Sequence, residues 1–302
     1  MSVHEPVLTA EALTFLAPER GGLFVDCTVG LGGHTHALLE AGATRVIGLD
    51  RDRDALEVAA ADLAAFGDRA ELVHADYRSL AEVLAARGIE AIDGALADLG
   101  VSSLQIDAEG RGFSFRRDEP LDMRMDRTAG ATAADVVNAT PEGELADIIF
   151  RFGEERHSRR IARAIVEARR RGPIATTGQL AATVRRAVPT HGWQRIDPAT
   201  RTFQALRIWV NRELEGLEEF LRDVVTRLRG GGRVVVISFH SLEDRIVKHT
   251  FRALERAEAI VKVLTKRPVV PGEAELARNP RARSAKLRAA ERVMLAVPAG
   301  GA

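Results

Sequence analysis

The sequence predicts an α/β protein, a doubly wound and mostly parallel sheet with an inserted helical domain. Three features lead there. Short apolar runs, each followed by Asp, alternate with helical stretches through the first hundred residues. The alternation stops after Asp98, and only helical periodicity follows for about a hundred residues. Then "GGRVVVISFHSLED", Gly231–Asp244, restores a strand and a helix.

Taken in order, the first strand is Leu23–Val25, closed by Asp26. A glycine turn follows, then a helix near His36–Ala41. A second strand, Val46–Leu49, ends in Asp50. Next come a helix over Asp54–Phe66, a strand over Glu71–Ala75 and a helix over Leu80–Arg87. A fourth apolar run, in "IDGALADLG", ends at Asp98. Strands spaced by helices of this length pair in parallel, because the crossover helix carries the chain back to start in the same direction. Ligands of such sheets lie at the carboxyl ends of the strands. Here those ends carry Asp26, Asp50, Asp76 and Asp98, an acidic rim with glycines beside it.

Helices are expected in the insertion at Thr132–Asn138, Glu142–Phe152, Ser158–Arg171 and Thr177–Val188. In the third, Ile161, Ala164, Ile165 and Ala168 fall at i, i+3, i+4 and i+7, which leaves the arginines on other faces. A long helical run from Phe203 to Arg229 leads back to a strand at Arg233–Ile237. Apolar runs at Ile260–Leu264 and Arg292–Val297 would complete the sheet. The sheet domain is thus discontinuous, 1–108 and 207–302, around an arginine-rich insertion at 109–206.

A hydrophobic content of 46% with 28% charged residues is that of a soluble globular protein. No apolar run approaches the ~20 residues that span a bilayer. The start, "MSVHEPVLTAEAL", has no basic region, so no secretory signal is expected and the cytoplasm is the default. Cys27 is the one cysteine, which excludes an internal disulfide and reads as a small packed residue. The eight histidines form no HExxH pattern, so no metal is expected.

The net charge of zero hides an asymmetry. Residues 1–110 hold 7 Arg against 19 acids, a balance of −12; the remaining 36 basic and 24 acidic groups give +12. Within the basic part, Lys262–Arg292 carries nine basic groups against three acids. A basic half suggests a polyanionic partner, since cations gain by releasing counterions condensed on phosphates. Charge alone does not separate this from the solvated helix faces of an arginine-rich chain.

Two cofactor classes use this kind of sheet. A dinucleotide fingerprint reads G-x-G-x-x-G, but Gly30-Leu31-Gly32-Gly33-His34-Thr35 has Thr at the third glycine. Asp26, four residues before the first glycine, would also repel a pyrophosphate. S-adenosylmethionine carries an ammonium and a sulfonium instead, and Asp50 at the second strand end can accept both ribose hydroxyls. A methyltransferase therefore fits better than a dehydrogenase.

Three long stretches are more specific: "DLGVSSLQIDAEGRGFSFRRDEPLDMRMD" (Asp98–Asp126), "DPATRTFQALRIWVNREL" (Asp197–Leu214) and "GGRVVVISFHSLEDRIVK" (Gly231–Lys248). With "HEPVL", "DCTVGLGGH" and "NPRARSAKLRAAE", they resemble the MraW/RsmH family of bacterial 16S rRNA cytosine-N4 methyltransferases over essentially the whole chain. One departure is Asp197, where the pattern has His before Pro-Ala-Thr-Arg. The resemblance implies a class I, Rossmann-like methyltransferase fold and S-adenosylmethionine as cofactor. It implies that Gly32, Gly33 and His34 line the methionine end, Asp50 takes the ribose, Tyr77 lies against the adenine, and Asp98 and Gln105 complete the pocket. It also implies a substrate: C1402 in the decoding region of 16S rRNA, within the small ribosomal subunit. A homodimer is left open. A DNA amino-methyltransferase is the rival enzyme, though Pro-Pro-aromatic is missing after Asp98; a non-catalytic ribosome-assembly factor is the rival outside enzymes.

The C4 amine of cytosine is a poor nucleophile because its lone pair is delocalised into the ring. An acceptor within hydrogen-bond reach can orient it and take a proton, and Asp98 is the candidate. The target base must be unpaired or extruded. "RGFSFRRDEPLDMRMD", Arg111–Asp126, directly follows and mixes Phe113, Phe115, Met123 and Met125 with arginines. It is expected to be both a packed lid and a clamp in which Phe113 and Phe115 stack on a base while Arg116 holds a phosphate. Arg201 and His240 are further candidate substrate contacts. In "SFHSLED", Ser241 followed by Asp244 reads as a helix cap rather than as part of a hydrolase triad.

Overall fold

A computed structural model describes residues 6–188 and 196–294. His4, Glu5 and the end of the strand expected at Arg292–Val297 lie outside the described residues. The chain divides into two compact units, Met1–Gly100 with Glu215–Ala302, and Val101–Leu214.

In chain order the first unit begins with α1 (Thr9–Leu16), β1 (Leu23–Asp26), α2 (Gly33–Glu40), β2 (Arg45–Asp50), α3 (Arg53–Leu63), β3 (Ala70–His74), α4 (Leu80–Ala85) and β4 (Ile92–Asp98). The second unit holds α5 (Ser103–Asp107), α6 (Ala133–Ala139), α7 (Glu142–Gly153), α8 (Ser158–Arg169), α9 (Thr177–Ala187) and α10 (Ala199–Asn211). The first unit resumes with α11 (Leu217–Arg227), β5 (Leu228–Ser238), α12 (Ser241–Arg256), β6 (Val261–Val263), α13 (Glu273–Arg278) and β7 (Lys286–Arg292).

The seven strands among the described residues form one sheet in the order β3-β2-β1-β4-β5-β7-β6. β1 to β5 run parallel, and β7 is antiparallel to both of its neighbours. The chain winds outward from β1 to β3, then crosses back to place β4 on the other side of β1. The connections leaving β1 and β4 thus run to opposite halves of the sheet, which opens a crevice at the two adjacent strand ends.

The period of two along each strand fills both faces. Val25, Ile47, Ala95, Val234 and Val236 meet α4, α11 and α12 on one side. Phe24, Val46, Leu96, Val235 and Ile237 meet α1, α2 and α3 on the other. Their strands therefore read as unbroken apolar runs, and each buried large side chain contributes roughly 1.5–3 kcal/mol. Cys27 is a buried free thiol in the first of these cores. No helix among the described residues is long and apolar enough to cross a membrane.

Three expectations about the chain's return to the sheet are corrected. The helical run at Phe203–Arg229 is two helices, because Arg212 adopts φ 51° and Gly216 φ 72° between them. α10 stays with the second unit, whose core includes Phe203 and Leu206, so the boundary follows Leu214 rather than residue 206. The last strand among the described residues is Lys286–Arg292, upstream of the apolar run at Arg292–Val297. Its buried positions are Leu287, Arg288, Ala289 and Ala290, too small and too charged to read as a strand.

The second unit is a helical bundle with its own core. In α8, Ile161, Ala162 and Ile165 are fully buried, and Arg159, Arg160 and Arg163 face outward. Thr132 with Asp135 and Thr176 with Gln179 form capping boxes on α6 and α9, each satisfying two orphan N–H groups.

Phe24 in β1 lies in register with Gly94 in β4, and a Cβ on Gly94 would stand 2.5 Å from the ring. Gly94→Ala is expected to destabilise the protein by about 1–3 kcal/mol through overpacking. Adding Phe24→Leu should recover part of that loss in urea unfolding; independent, additive effects would show that the ring does not set the limit.

Candidate active site

The crevice is built from the ends of β1, β2 and β4 and the turn after β1. Asp26 is fully buried. Its carboxylate accepts the Thr28 N–H at 3.2 Å and the Thr35 hydroxyl at 2.8 Å, tying both sides of the glycine turn to the strand end. Burial, partly offset by His34 and these hydrogen bonds, pushes its pKa up to about 6. Asp26 therefore shapes the turn from beneath and is no part of an exposed rim. Within the turn, Gly30 (φ 52°) and Gly32 (φ 92°) take left-handed conformations that glycine adopts without strain.

Asp50 closes β2 and reaches across to the same turn. Its Oδ2 accepts the Gly30 N–H at 2.8 Å and its Oδ1 the Asp52 N–H at 2.9 Å. Burial dominates and raises its pKa. Among the described residues no side chain pairs with this carboxylate, so spare lone pairs remain for hydroxyl donors.

Asp98 closes β4, and its N–H donates to Thr28 Oγ1 at 2.6 Å. Its Oδ2 lies 3.6 Å from Nε2 of His34, which is buried in the first turn of α2. Burial favours neutral imidazole, but Asp98 and Asp26 outweigh it and raise the pKa of His34. The other carboxylate oxygen, Oδ1, is buried without a hydrogen-bond partner. A buried acceptor left open costs free energy, which marks it for a donor from a bound molecule.

The structure thus brings Gly32, Gly33, His34, Asp50 and Asp98 together around one crevice. Asp76 stands apart from them: Arg78 and Arg51 pair with its carboxylate, overcome the effect of burial and hold its pKa low. Tyr77 follows β3 with its ring on Phe220, centroids 4.6 Å apart, and burial raises its pKa. Gln105 belongs to the helical unit, where its side-chain carbonyl accepts the Ser102 N–H in a capping box on α5. Thr28 and Thr35 are site residues that sequence reasoning missed; the signal was a hydroxyl on each side of the glycine turn.

The Arg111–Asp126 loop is a packed part of the helical unit. Leu121 and Met123 are core residues there, and Phe113 and Phe115 pack against that core. The Phe115 ring meets Phe203 edge-on at 4.7 Å. Asn211, at the end of α10, pins the loop by donating to Met123 O and accepting from Met125 N–H. Both rings are thus held by protein, and Arg116 is exposed. Arg201 is exposed as well, 3.6 Å from Glu155.

His240 is buried and is itself the cap of α12. Its Nδ1 accepts the Glu243 N–H, and Glu243 Oε2 accepts from Phe239 and His240. The expected cap at Ser241 is therefore corrected by one residue, because Asp244 is drawn away to Arg288 at 2.6 Å. Asp197, in the position where His was expected, accepts the Ala199 N–H at the start of α10 and pairs with Arg185 at 2.8 Å.

A parallel sheet with acids and a glycine turn at its switch point defines a doubly wound α/β protein of the class I methyltransferase type. The family model of the MraW methylases matches residues 1–293, and the chain belongs to that family. S-adenosylmethionine is its methyl donor. The chain is 51% identical to a "Ribosomal RNA small subunit methyltransferase H" of Geotalea uraniireducens, over 96% of this chain and 98% of the relative. A protein of the same name from Bradyrhizobium diazoefficiens is 52% identical over 96% and 91%. Among solved structures, an rRNA methylase from Streptococcus thermophilus aligns over 97% of this chain and 100% of its own, with TM-score 0.44 and 12% identity.

The acceptor set fits this cofactor: Asp50 offers oxygens to ribose hydroxyls, and the open oxygen of Asp98 needs a donor such as an N–H. The raised pKa of Asp26, from 3.8 to about 6, has a pH signature. A raised carboxyl pKa means that the folded state holds the proton more tightly. Its contribution is full below pH ~4 and is lost as pH rises to ~6, a difference on the order of 3 kcal/mol. Asp26→Asn removes this titration. Between pH 4 and 7 the wild type should lose that much more stability than the variant in denaturant titrations. Parallel pH profiles would show that Asp26 ionises as freely in the fold as out of it.

Proposed function

We propose that this chain methylates the N4 amine of one cytidine, C1402, in the 16S rRNA of the small ribosomal subunit. The observation that carries the chemistry is the partnerless Oδ1 of Asp98 at the end of β4; the names of the relatives support the substrate.

When bound, S-adenosylmethionine supplies an activated methyl group. Asp50 would hold its ribose hydroxyls, and the N–H groups at the start of α2, which have no side-chain cap among the described residues, would receive its carboxylate. Tyr77 would lie beside the adenine. Asp98 then has two tasks. Its carboxylate accepts hydrogen bonds from the cytosine amine, which turns the nitrogen lone pair toward the methyl group, and it takes the proton that the amine must lose. His34, with Nε2 3.6 Å from Asp98 Oδ2, lies beside this carboxylate in the first turn of α2. Most of the rate enhancement comes from this orientation, since the methyl donor is already activated.

The cytidine must leave its stack to enter such a crevice, so the flanking strand needs a surface of its own. In the helical unit a groove of about 430 Å³ is lined by Arg160, Arg163, Arg171 and Arg186, with Glu167 the one acid among its lining residues. Together with exposed Arg116 and Arg201, it offers phosphate contacts. The Phe113 and Phe115 rings contribute more by fixing the loop than by stacking. The cytoplasm follows from a ribosomal substrate.

Labelled methyl transfer to small subunits lacking the modification, followed by nucleoside mass spectrometry, tests this reading. N4-methylcytidine is the expected product, with activity reduced roughly 10²–10⁴-fold in Asp98→Ala. Asp50→Ala should mainly weaken cofactor binding. Transfer to duplex DNA in place of rRNA, or full activity in Asp98→Ala, would sink the assignment.

A further inference from the structure

The first unit carries a second basic feature that methyl transfer does not use. Lys248, Arg252 and Arg256 recur every fourth residue along α12, so they form one stripe on its surface. With Lys266, which follows β6, they border a cleft of about 250 Å³. Arg252, Arg256 and Lys266 are exposed, and Lys248 is half-buried. None of the four has a hydrogen bond or ion pair among the described residues.

Several arginines of this unit are instead held in ion pairs. Arg222 is paired with Glu218 and Glu258, Arg229 with Asp93, Arg233 with Glu291 and Arg288 with Asp244. These four stay open, and three of them stand at i, i+4 spacing, although like charges so placed repel along a helix. The nearby carboxylates are already committed. Asp244 is held by Arg288 and Lys286, and Glu255 accepts the Val263 N–H at 2.8 Å. Thr265 lines the cleft, and its oxygen accepts the Ala289 N–H. Its own O–H has no acceptor among the described residues, so a donor remains for an anion.

We infer that the cleft between α12 and the β6–β7 edge binds phosphates in the backbone of the RNA substrate, away from the methylated nucleotide. The inference rests on the RNA reading above. The cleft is smaller than an ordinary small-molecule pocket, and its aromatic residue, Phe251, is buried and offers no face to a base. It therefore suits a backbone phosphate rather than a free nucleotide. Cations at intervals of about 6 Å along the helix can follow successive phosphates of one strand. α12 starts at the carboxyl end of β5 and runs back along the sheet for about 24 Å, which carries Arg252 and Arg256 well away from Asp98.

The test is binding of unmodified 16S rRNA over a range of salt concentrations. Arg252→Gln with Lys266→Gln should weaken binding about tenfold near 0.1 M salt and lower the slope of log K against log salt by about 1–2. Arg252→Lys with Lys266→Arg keeps the charge and should restore both quantities. S-adenosylmethionine affinity, measured by calorimetry, should be the same in all three proteins, and kcat at saturating RNA should not move. Wild-type affinity and slope in the glutamine variant would overturn the inference and leave the cleft to an acidic protein surface. Failure of the wild type itself to bind rRNA would remove the RNA reading and this inference together.

Discussion

The burial of Asp26 at the carboxyl end of β1 is the constraint on which the crevice at the switch point depends. A carboxylate without water must satisfy its oxygens from the chain, and it does so with the Thr28 N–H and the Thr35 hydroxyl. Those two bonds bracket the glycine turn and fix where α2 begins. Thr28 in turn accepts the backbone N–H of Asp98, so β4's terminal acid is located from the same anchor. Asp50 reaches the turn from the other side through Gly30. Asp50 and Asp98 are thus placed from an acid that is itself fully buried.

The two kinds of acid at the strand ends differ in what has been left open. Asp76 is saturated by Arg78 and Arg51 and behaves as a structural ion pair. Asp50 and Asp98 receive few donors from the protein, although burial makes those donors valuable. All of these acids stand at or just after strand ends, so position along the strand does not separate them, whereas their hydrogen-bond partners do.

The arginines divide in the same way. Many are consumed by the fold: Arg111 donates to the Arg124 and Met125 carbonyls, Arg124 forks onto Asp122, and Arg288 holds Asp244. Others, in the α8–α9 groove and along α12, line clefts where cations outnumber acids. A net charge of zero is therefore compatible with a polyanion partner, because phosphates respond to local unpaired charge within a Debye length.

By itself the sequence determined the alternation of strands and helices, the glycine turn, and the acids that close β1, β2 and β4. These are local: apolar period, turn chemistry and strand-end position follow from a few neighbouring residues. The long motifs around Asp98 and Gly231 also pointed to the methylase family. Only the tertiary structure decided which acids stay open. Asp26 is sealed by Thr35, nine residues away, Asp76 is paired by Arg51 from another loop, and Asp244 is claimed by Arg288, forty-four residues later. It likewise assigned Phe113 and Phe115 to a core completed by Phe203, and capped α12 with His240 rather than Ser241. Each of these outcomes is a competition between partners far apart in sequence, and distance in sequence carries no information about which partner arrives first in space.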